Sequence, residues 1–244
     1  MNVAERQFVA DELDLVRTLL PLEGARVLDL GCGDAQMSRR MLKEAGAASV
    51  VALEADRIQH GKNLAAPAVP GLTAVLGGAQ AVPCDDASFD GVTMFKSLHH
   101  VPLDAMDRAL AEIRRVLVPG GLLYVSEPVF AGDLNEIIRL FHDEEIVRRK
   151  AVEALDRAEA QGVLQGVAVR HFDMPVVFRD FAEFEAKLIH VTHSDHSLDA
   201  ATMAEVKRRF AAHVGPNGAK FVRPMRVNLL RRAPEGAAPP LMFR

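Results

Sequence analysis

Between Arg26 and Glu127, short runs rich in Val and Leu alternate with longer helical patterns, and few folds accommodate that alternation. It is the rhythm of βαβ units wrapped around a parallel sheet. The runs predict strands at Arg26–Leu30, Ser49–Leu53, Leu72–Leu76, Gly91–Phe95 and Leu122–Glu127. Between the last two, LDAMDRALAEIRRVLV places Met106, Leu110, Ile113 and Leu117 at three- and four-residue spacing, so a helix there has one apolar face for the sheet. Pro119, Gly120 and Gly121 then end it.

After Glu127 the rhythm changes. GDLNEIIRLFHDEEIVRRKAVEALDRAEAQG is strongly helical, with Glu144/Arg148 and Glu145/Arg149 in the favourable i,i+4 order on an exposed face. Its length predicts an inserted helical cap; the alternative is the next crossover helix of the sheet, although crossovers are usually shorter. FRDFAEFEAKLIHV predicts another helix and SLDAATMAEVKRRFAAHV a third. AKFVRPMRVNLLRR predicts a final strand, in which Pro224 argues for an edge position or a bulge. With 244 residues, 49% of them hydrophobic, the chain is expected to form one domain. Within it we expect an N-terminal helix over 1–22, a ligand-binding core over 23–128 and a helical cap over 129–165. Completion of the sheet with further helices follows over 166–232, then a loose tail over 233–244.

A formal net charge of −4 gives no overall electrostatic footprint for DNA or RNA, so no nucleic-acid partner is expected. There are only two cysteines, and the opening MNVAERQFVADELDLVRTLL carries acids where a signal peptide would place an apolar run. A cytoplasmic setting is therefore expected. No stretch approaches the ~18 consecutive apolar residues of a transmembrane helix, and no membrane partner is expected. The sequence does not constrain the oligomeric state.

VLDLGCGDAQMS, residues Val27 to Ser38, runs from a predicted strand through two glycines into a helix. Glycine lets a ligand approach the backbone closely and tolerates positive φ. A dinucleotide fingerprint would want a small residue at Gln36, and the acid at Asp29 would repel a pyrophosphate. An acid there suits a cationic ligand. With Asp29, Gly31 and Gly33 in place, LDLGCGDA resembles the first motif of class I S-adenosylmethionine (SAM) methyltransferases, with Ala35 where the family's third glycine usually stands. VVALEAD ends a second strand on Glu54, GGAQAVPCDDASFDGVTMFKSLHHVP resembles the family's adenine segment and fourth strand, and ALAEIRRVLVPGGLLYVSEP its next helix and fifth strand. Gly78 stands where many relatives place an acid facing the adenine amino group. The resemblance covers about Leu22 to Pro128, and FVRPMRVNLLRR is consistent with the family's reversed last strand.

The resemblance implies an α/β fold: a doubly wound, mostly parallel, seven-stranded Rossmann-like sheet with a reversed last strand and an inserted helical cap. It implies SAM as cofactor, with the backbone of Gly31, Cys32 and Gly33 against the methionine portion and Asp29 orienting that loop and the amino group. Glu54 would hold the ribose hydroxyls, Ala79 and Gln80 the adenine, and Lys96 would complete the cofactor contacts. Read by itself, Cys32 is just a small loop residue. The helical segment from Phe130 to about Gln161, with parts of Phe172 to Ser197, would cover the methyl group. Its apolar Leu134, Ile138, Phe141 and Ile146 fit either a small, partly apolar acceptor or plain helix packing.

KSLHHVP puts Ser97, His99 and His100 just past the fourth strand, at the carboxyl edge where open α/β folds bind ligands. A histidine there can accept a proton from the acceptor, and His100 is the first candidate with His99 the second; both can equally serve only to shape the pocket. HVTHSDHS gathers His190, His193, Asp195 and His196, but three-residue steps drift around a helix, so the imidazoles do not converge on a metal. That run is expected to end one helix and cap the next through Ser197 or Asp195, and no metal site is expected. KSLH is neither the Asn/Asp-Pro-Pro-aromatic motif of base-methylating enzymes nor the acid of metal-dependent catechol-type enzymes. The expected function is a metal-independent, in-line methyl transfer from SAM to a small-molecule acceptor. Two alternatives are a catalytically silent SAM-binding regulator and an NAD(P)-dependent oxidoreductase, the latter opposed by Asp29, Gln36 and the reversed strand.

Overall fold

The structure is a computed structural model that describes residues 7–190 and 197–233. The chain opens with β1 (Gln7–Phe8), α1 (Glu12–Leu19), β2 (Arg26–Leu30), α2 (Gln36–Ala45), β3 (Ser49–Glu54), α3 (Arg57–Ala65), β4 (Leu72–Leu76) and β5 (Phe89–Phe95). A 3-10 turn at Leu98–His100 leads to α4 (Met106–Val116), β6 (Leu117–Pro128), α5 (Asp133–Ile138), α6 (Glu145–Ala160) and β7 (Gln165–Phe178). Then come α7 (Phe181–Phe184), a π-helical turn at Glu185–Ile189, α8 (Ala200–Ala211), β8 (Val214–Gly215) and β9 (Gly218–Arg231). Among the described residues no helix is long and apolar enough to cross a membrane.

One sheet runs β1-β7-β9-β6-β5-β2-β3-β4, with β8 paired to β9. β2 pairs in parallel with β3 and β5, as do β3 with β4 and β5 with β6, whereas β9 is antiparallel to both β6 and β7. The expected seven-stranded, mostly parallel sheet with a reversed last strand is thus present, extended by the two-residue β1 and β8. Helices cover both faces. Val27, Leu28 and Leu30 of β2 and Val92 and Met94 of β5 are buried, the near-continuous apolar pattern of a doubly covered sheet. Chain order reverses between β2 and β5, which opens a crevice at their carboxyl ends.

Several local expectations change. The 14-residue β7 was not read as a strand, because Gly166, Arg170, His171, Asp173 and Pro175 break its apolar pattern; it is defined by its long pairing with β9. Pro224 sits at neither an edge nor a bulge: β9 is an interior strand, and Pro224 pairs in register with Asp173. Its carbonyl accepts from Val129 N (2.9 Å), on the side where β6 has just ended, so its nitrogen also faces away from β7 and the missing N–H breaks no ladder bond. α8 is capped by Asp199, whose side chain accepts from Thr202 N (2.7 Å), rather than by Ser197 or Asp195. Leu117 and Pro119–Gly121 belong to β6, which starts directly after α4.

The segment expected as a cap divides in two. α6 buries Ala151, Ala154, Leu155 and Ala158 in the same core as β2, β5 and α4, so it is the crossover helix between β6 and β7, the alternative reading of that segment. The cap that remains is α5, packed with α7, α8 and the ends of β7 and β9: Phe178, Phe184, Phe210 and Phe221 meet there, with Phe184 and Phe210 ring centroids 5.1 Å apart, over Leu134 and Ile137. Ile138 and Phe141 pack against this cluster, so with Leu134 they serve helix packing, whereas Ile146 is 59% exposed.

Candidate active site

The loop after β2 is strapped to β3. Leu53 O accepts from Gly31 N (2.8 Å) and Cys32 N (3.1 Å), while Glu54 accepts from Gly33 N through Oε2 (2.8 Å) and from Asp56 N through Oε1 (2.9 Å). Asn63 donates to Gly33 O (2.7 Å). Gly31 and Gly33 both have positive φ, +69° and +55°. A Cβ on Gly31 would meet Ser97 Cβ at 2.6 Å, whereas one on Gly33 would meet nothing within 4 Å. The first glycine is required for packing; the second leaves the backbone open to a ligand.

Ala35, at the helix entrance, also holds a left-handed conformation with φ +55°. Such a backbone costs an L-residue about 1–2 kcal/mol, while glycine costs about 0.5–1 kcal/mol in unfolded-state entropy. Ala35→Gly also removes a buried methyl worth about 0.8 kcal/mol, so the gain and the loss offset and stability, read from the urea midpoint at unchanged slope, is expected to shift by less than about 0.5 kcal/mol. A loss of about 1.5 kcal/mol or more would contradict the assigned strain.

Asp29 is buried beneath this loop, accepting from Ser38 Oγ on α2 (2.5 Å) and Thr93 Oγ1 on β5 (3.0 Å). Burial pushes its carboxyl up to about 6, against the pull of the two hydroxyls. It ties helix, loop and neighbouring strand together.

A cavity of about 900 Å³ opens at the carboxyl edge of the sheet. Of the expected residues, Gly31, Gly33, Glu54, Ala79, Gln80, Lys96 and His100 line it. Asp29, Cys32 and His99 do not. Cys32 is half-buried, and burial raises its thiol far above the usual range, which leaves it unreactive. Ala186 and His190 reach the cavity from the π-helical turn and its end, within the Phe172–Ser197 segment expected to cover the site. The other members of the predicted histidine cluster, His193, Asp195 and His196, lie outside the described residues.

His99 turns away from the cavity. Its Nδ1 contacts Glu127 Oε2 and its Nε2 lies 3.4 Å from Glu144 Oε1. Burial alone would lower its pKa, but the two carboxylates outweigh burial and raise it to about 9. An imidazolium held on both nitrogens has no free lone pair, so the expectation of His99 as a base is corrected: it bridges β6 to the cap. His100 packs against it with ring centroids 4.1 Å apart and planes tilted by 43°, and is exposed to the cavity.

The Glu144/Arg148 pair is corrected as well. It faces inward, with Arg148 donating to Glu144 Oε2 at 2.5 Å, because Glu144 precedes α6 at the point where the cap meets the 3-10 turn. The exposed Arg149 pairs with Glu153 rather than Glu145. His99, His100 and Glu144 bring ligand-type atoms within 4.8 Å of one another, but Glu144 is engaged by Arg148, His142 and His99, and His99 by Glu127. The group already balances itself as an ion-pair network. Glu12 on α1 joins the same edge, accepting from Tyr124 Oη (3.2 Å) and Lys96 Nζ (3.5 Å). Lys96 itself has φ +55°, a strained backbone of the sort found at ligand sites.

Residues 27–121 match a family model described as a methyltransferase domain. An uncharacterized methyltransferase of Mycobacterium bovis is 38% identical over 105 residues, 43% of this chain and 40% of that protein, so the chain matches less than half of that relative's length. A ubiquinone/menaquinone biosynthesis C-methyltransferase, UbiE, of Methylobacterium nodulans is 31% identical over 174 residues, covering 69% of this chain and 67% of the relative. The crystal structure of the YcgJ protein from Bacillus subtilis superposes with a TM-score of 0.60 at 18% identity, over 92% of this chain and 98% of that one, a likeness of fold alone. The resemblance read over about Leu22 to Pro128 is carried further by a relative aligned over two thirds of both chains, and the chain belongs to the class I SAM-dependent methyltransferases.

Proposed function

We propose that this protein moves a methyl group from SAM to a small-molecule acceptor by in-line displacement, without a metal. The observation that carries the reading is the single cavity shared by the glycine loop, Glu54 and the Lys96–His100 edge. At about 900 Å³ it lies within the ~300–1,000 Å³ range of small-molecule sites. The residues fit the donor. Gly33 stands over open space, and each Glu54 oxygen accepts only one backbone N–H, whereas a carboxylate has about four acceptor sites. Capacity therefore remains for ribose hydroxyls.

When bound, SAM supplies an electrophilic methyl group on a sulfonium. The chain's own part is positioning. The Gly31–Gly33 backbone would receive the methionine portion, Glu54 the ribose, and Ala79 with Gln80 the adenine. Asp29 holds that loop in place from below. His100 would accept the acceptor's proton on a ring nitrogen, while His99, fixed by Glu127 and Glu144, packs against its ring and holds it in place. Ala186 and His190 close part of the cavity against water. The name of the UbiE relative, a biosynthetic C-methyltransferase, supports a small acceptor.

Glu54→Gln is expected to weaken S-adenosylhomocysteine binding at least tenfold, about 1.4 kcal/mol, by calorimetry on a variant that melts like the parent. Unchanged affinity would overturn the cofactor assignment. Transfer of label from SAM should appear in the small-molecule fraction of a cell extract; label confined to macromolecules would overturn the acceptor class.

A further inference from the structure

Three ion pairs gather at the carboxyl edge between α1, β6 and the cap: Lys96 with Glu12 (3.5 Å), His99 with Glu127, and Arg148 with Glu144 (2.5 Å). Arg223 is a fourth cation beside them. It stands on β9 two residues before Met225, whose partner Pro128 ends β6, so it lies just beyond the carboxyl end of that strand. Its backbone pairs with Met174, but among the described residues its side chain has no hydrogen bond or ion pair, although most of it is enclosed. Burial and the neighbouring Arg148 charge both disfavour its protonated form, and the nearby Glu144 and Glu12 are shared with other cations. Two further donors there lack acceptors among the described residues. Arg148 Nε and Asn135 Nδ2 are buried without a partner, on residues joined by a 3.0 Å bond from Arg148 to Asn135 Oδ1.

Among the described residues, buried donors without acceptors stand here beside one unpaired cation, a combination suited to an anion. We infer that the methyl acceptor carries a carboxylate, received by the guanidinium of Arg223 with Arg148 and Asn135 beside it. The inference rests on the reading of this edge as the acceptor side of a methyltransferase. A guanidinium matches a carboxylate through two parallel N–H···O bonds. One unmatched cation balances one carboxylate, whereas a phosphate dianion would bring excess charge. The carboxylate of SAM itself is not the partner: β9 lies three strands from β2, about 14 Å at the usual strand spacing, and the glycine loop that would hold the methionine portion follows β2.

The test is calorimetric titration of the full chain with acetate and benzoate against acetamide and benzamide, with and without S-adenosylhomocysteine. The carboxylates should bind at least tenfold more tightly than the amides. Arg223→Gln should remove that preference, leave S-adenosylhomocysteine affinity unchanged, and melt at the parent temperature or above it, because an unpaired enclosed cation is gone. A purely structural arginine would instead lower the melting temperature. Equal binding of acids and amides, or a carboxylate preference that survives in Arg223→Gln, would overturn the inference. So would a loss of S-adenosylhomocysteine affinity in that variant, which would reassign Arg223 to the donor. Failure of the parent to bind S-adenosylhomocysteine would sink the donor reading, while the arm without it still judges the anion site.

Discussion

Glu144→Gln is expected to destabilise the protein by about 3 kcal/mol, the order observed when one partner of a buried charge pair is removed. Glu144 and His99 have side chains 9% and 2% exposed, and Arg148 is 11% exposed, so solvent screens this network little. The substitution leaves Arg148 without its carboxylate and His99 with Glu127 alone. The same network sets a pH window. His99 has an ordinary value of 6.5 and is raised to about 9, so its stabilisation is complete below about 6.5 and is lost as pH rises through about 9. Glu144 is held well below its ordinary 4.5 because His99 and Arg148 overcome the opposing effect of burial; its contribution is present above about 4.5 and fades as pH falls. Asp29, raised to about 6 by burial, acts in a lower window, where its ionisation costs stability as pH rises from about 3.8 through about 6. Above that window, urea midpoints should decline from about pH 6.5 toward pH 9 as the His99 bridge is lost. In Glu144→Gln the imidazole resonance of His99 should titrate at lower pH than in the parent. A parent midpoint that stays flat from about pH 6.5 to 9.5 would refute the imidazolium bridge.

Gly31→Ala is expected to cost about 2–5 kcal/mol, from two separable sources. The left-handed backbone at φ +69° accounts for about 1–2 kcal/mol. The new Cβ, 2.6 Å from Ser97 Cβ, accounts for about 1–3 kcal/mol of overpacking. Ser97→Gly removes the clashing atom, along with the Ser97 Oγ bond to Leu30 O at 2.7 Å. The double variant should thus be more stable than the sum of the singles predicts, by at least ~1 kcal/mol in a double-mutant cycle. Strict additivity would show that the two positions do not meet. Gly33→Ala is the informative contrast: it has the same backbone strain but no clash, and its methyl points into open cavity space. It should lose less stability than Gly31→Ala and more ligand affinity.

The two halves of the molecule differ in how far their folding is written locally. The strands from β2 to β6 could be read closely from the chain because each is a short apolar run bounded by a helix, and βα units pair with near neighbours. β7 could not. Its residues alternate poorly, and what makes it a strand is the register with β9, which follows more than forty residues later. The same limit applied to the site. Gly31, Gly33 and Glu54 sit at strand ends whose order fixes where they meet, so their convergence was legible. The facing of a polar residue was not. Glu144 and Arg148 have the spacing of an exposed pair, and only the docking of the cap on His99 turns them inward.

The sequence by itself determined the βα core, the glycine loop and its kinship, because periodicity and turn chemistry act over a few residues. The tertiary structure alone decided that Asp29 lies under the loop rather than in the cavity, and that His99 is a clamped cation while His100 faces the cavity. It also decided that Arg223 meets this edge with no side-chain partner among the described residues. Burial, charge pairing and pKa depend on which distant segments pack together. Those distances are properties of the assembled sheet and cap, and no local pattern encodes them.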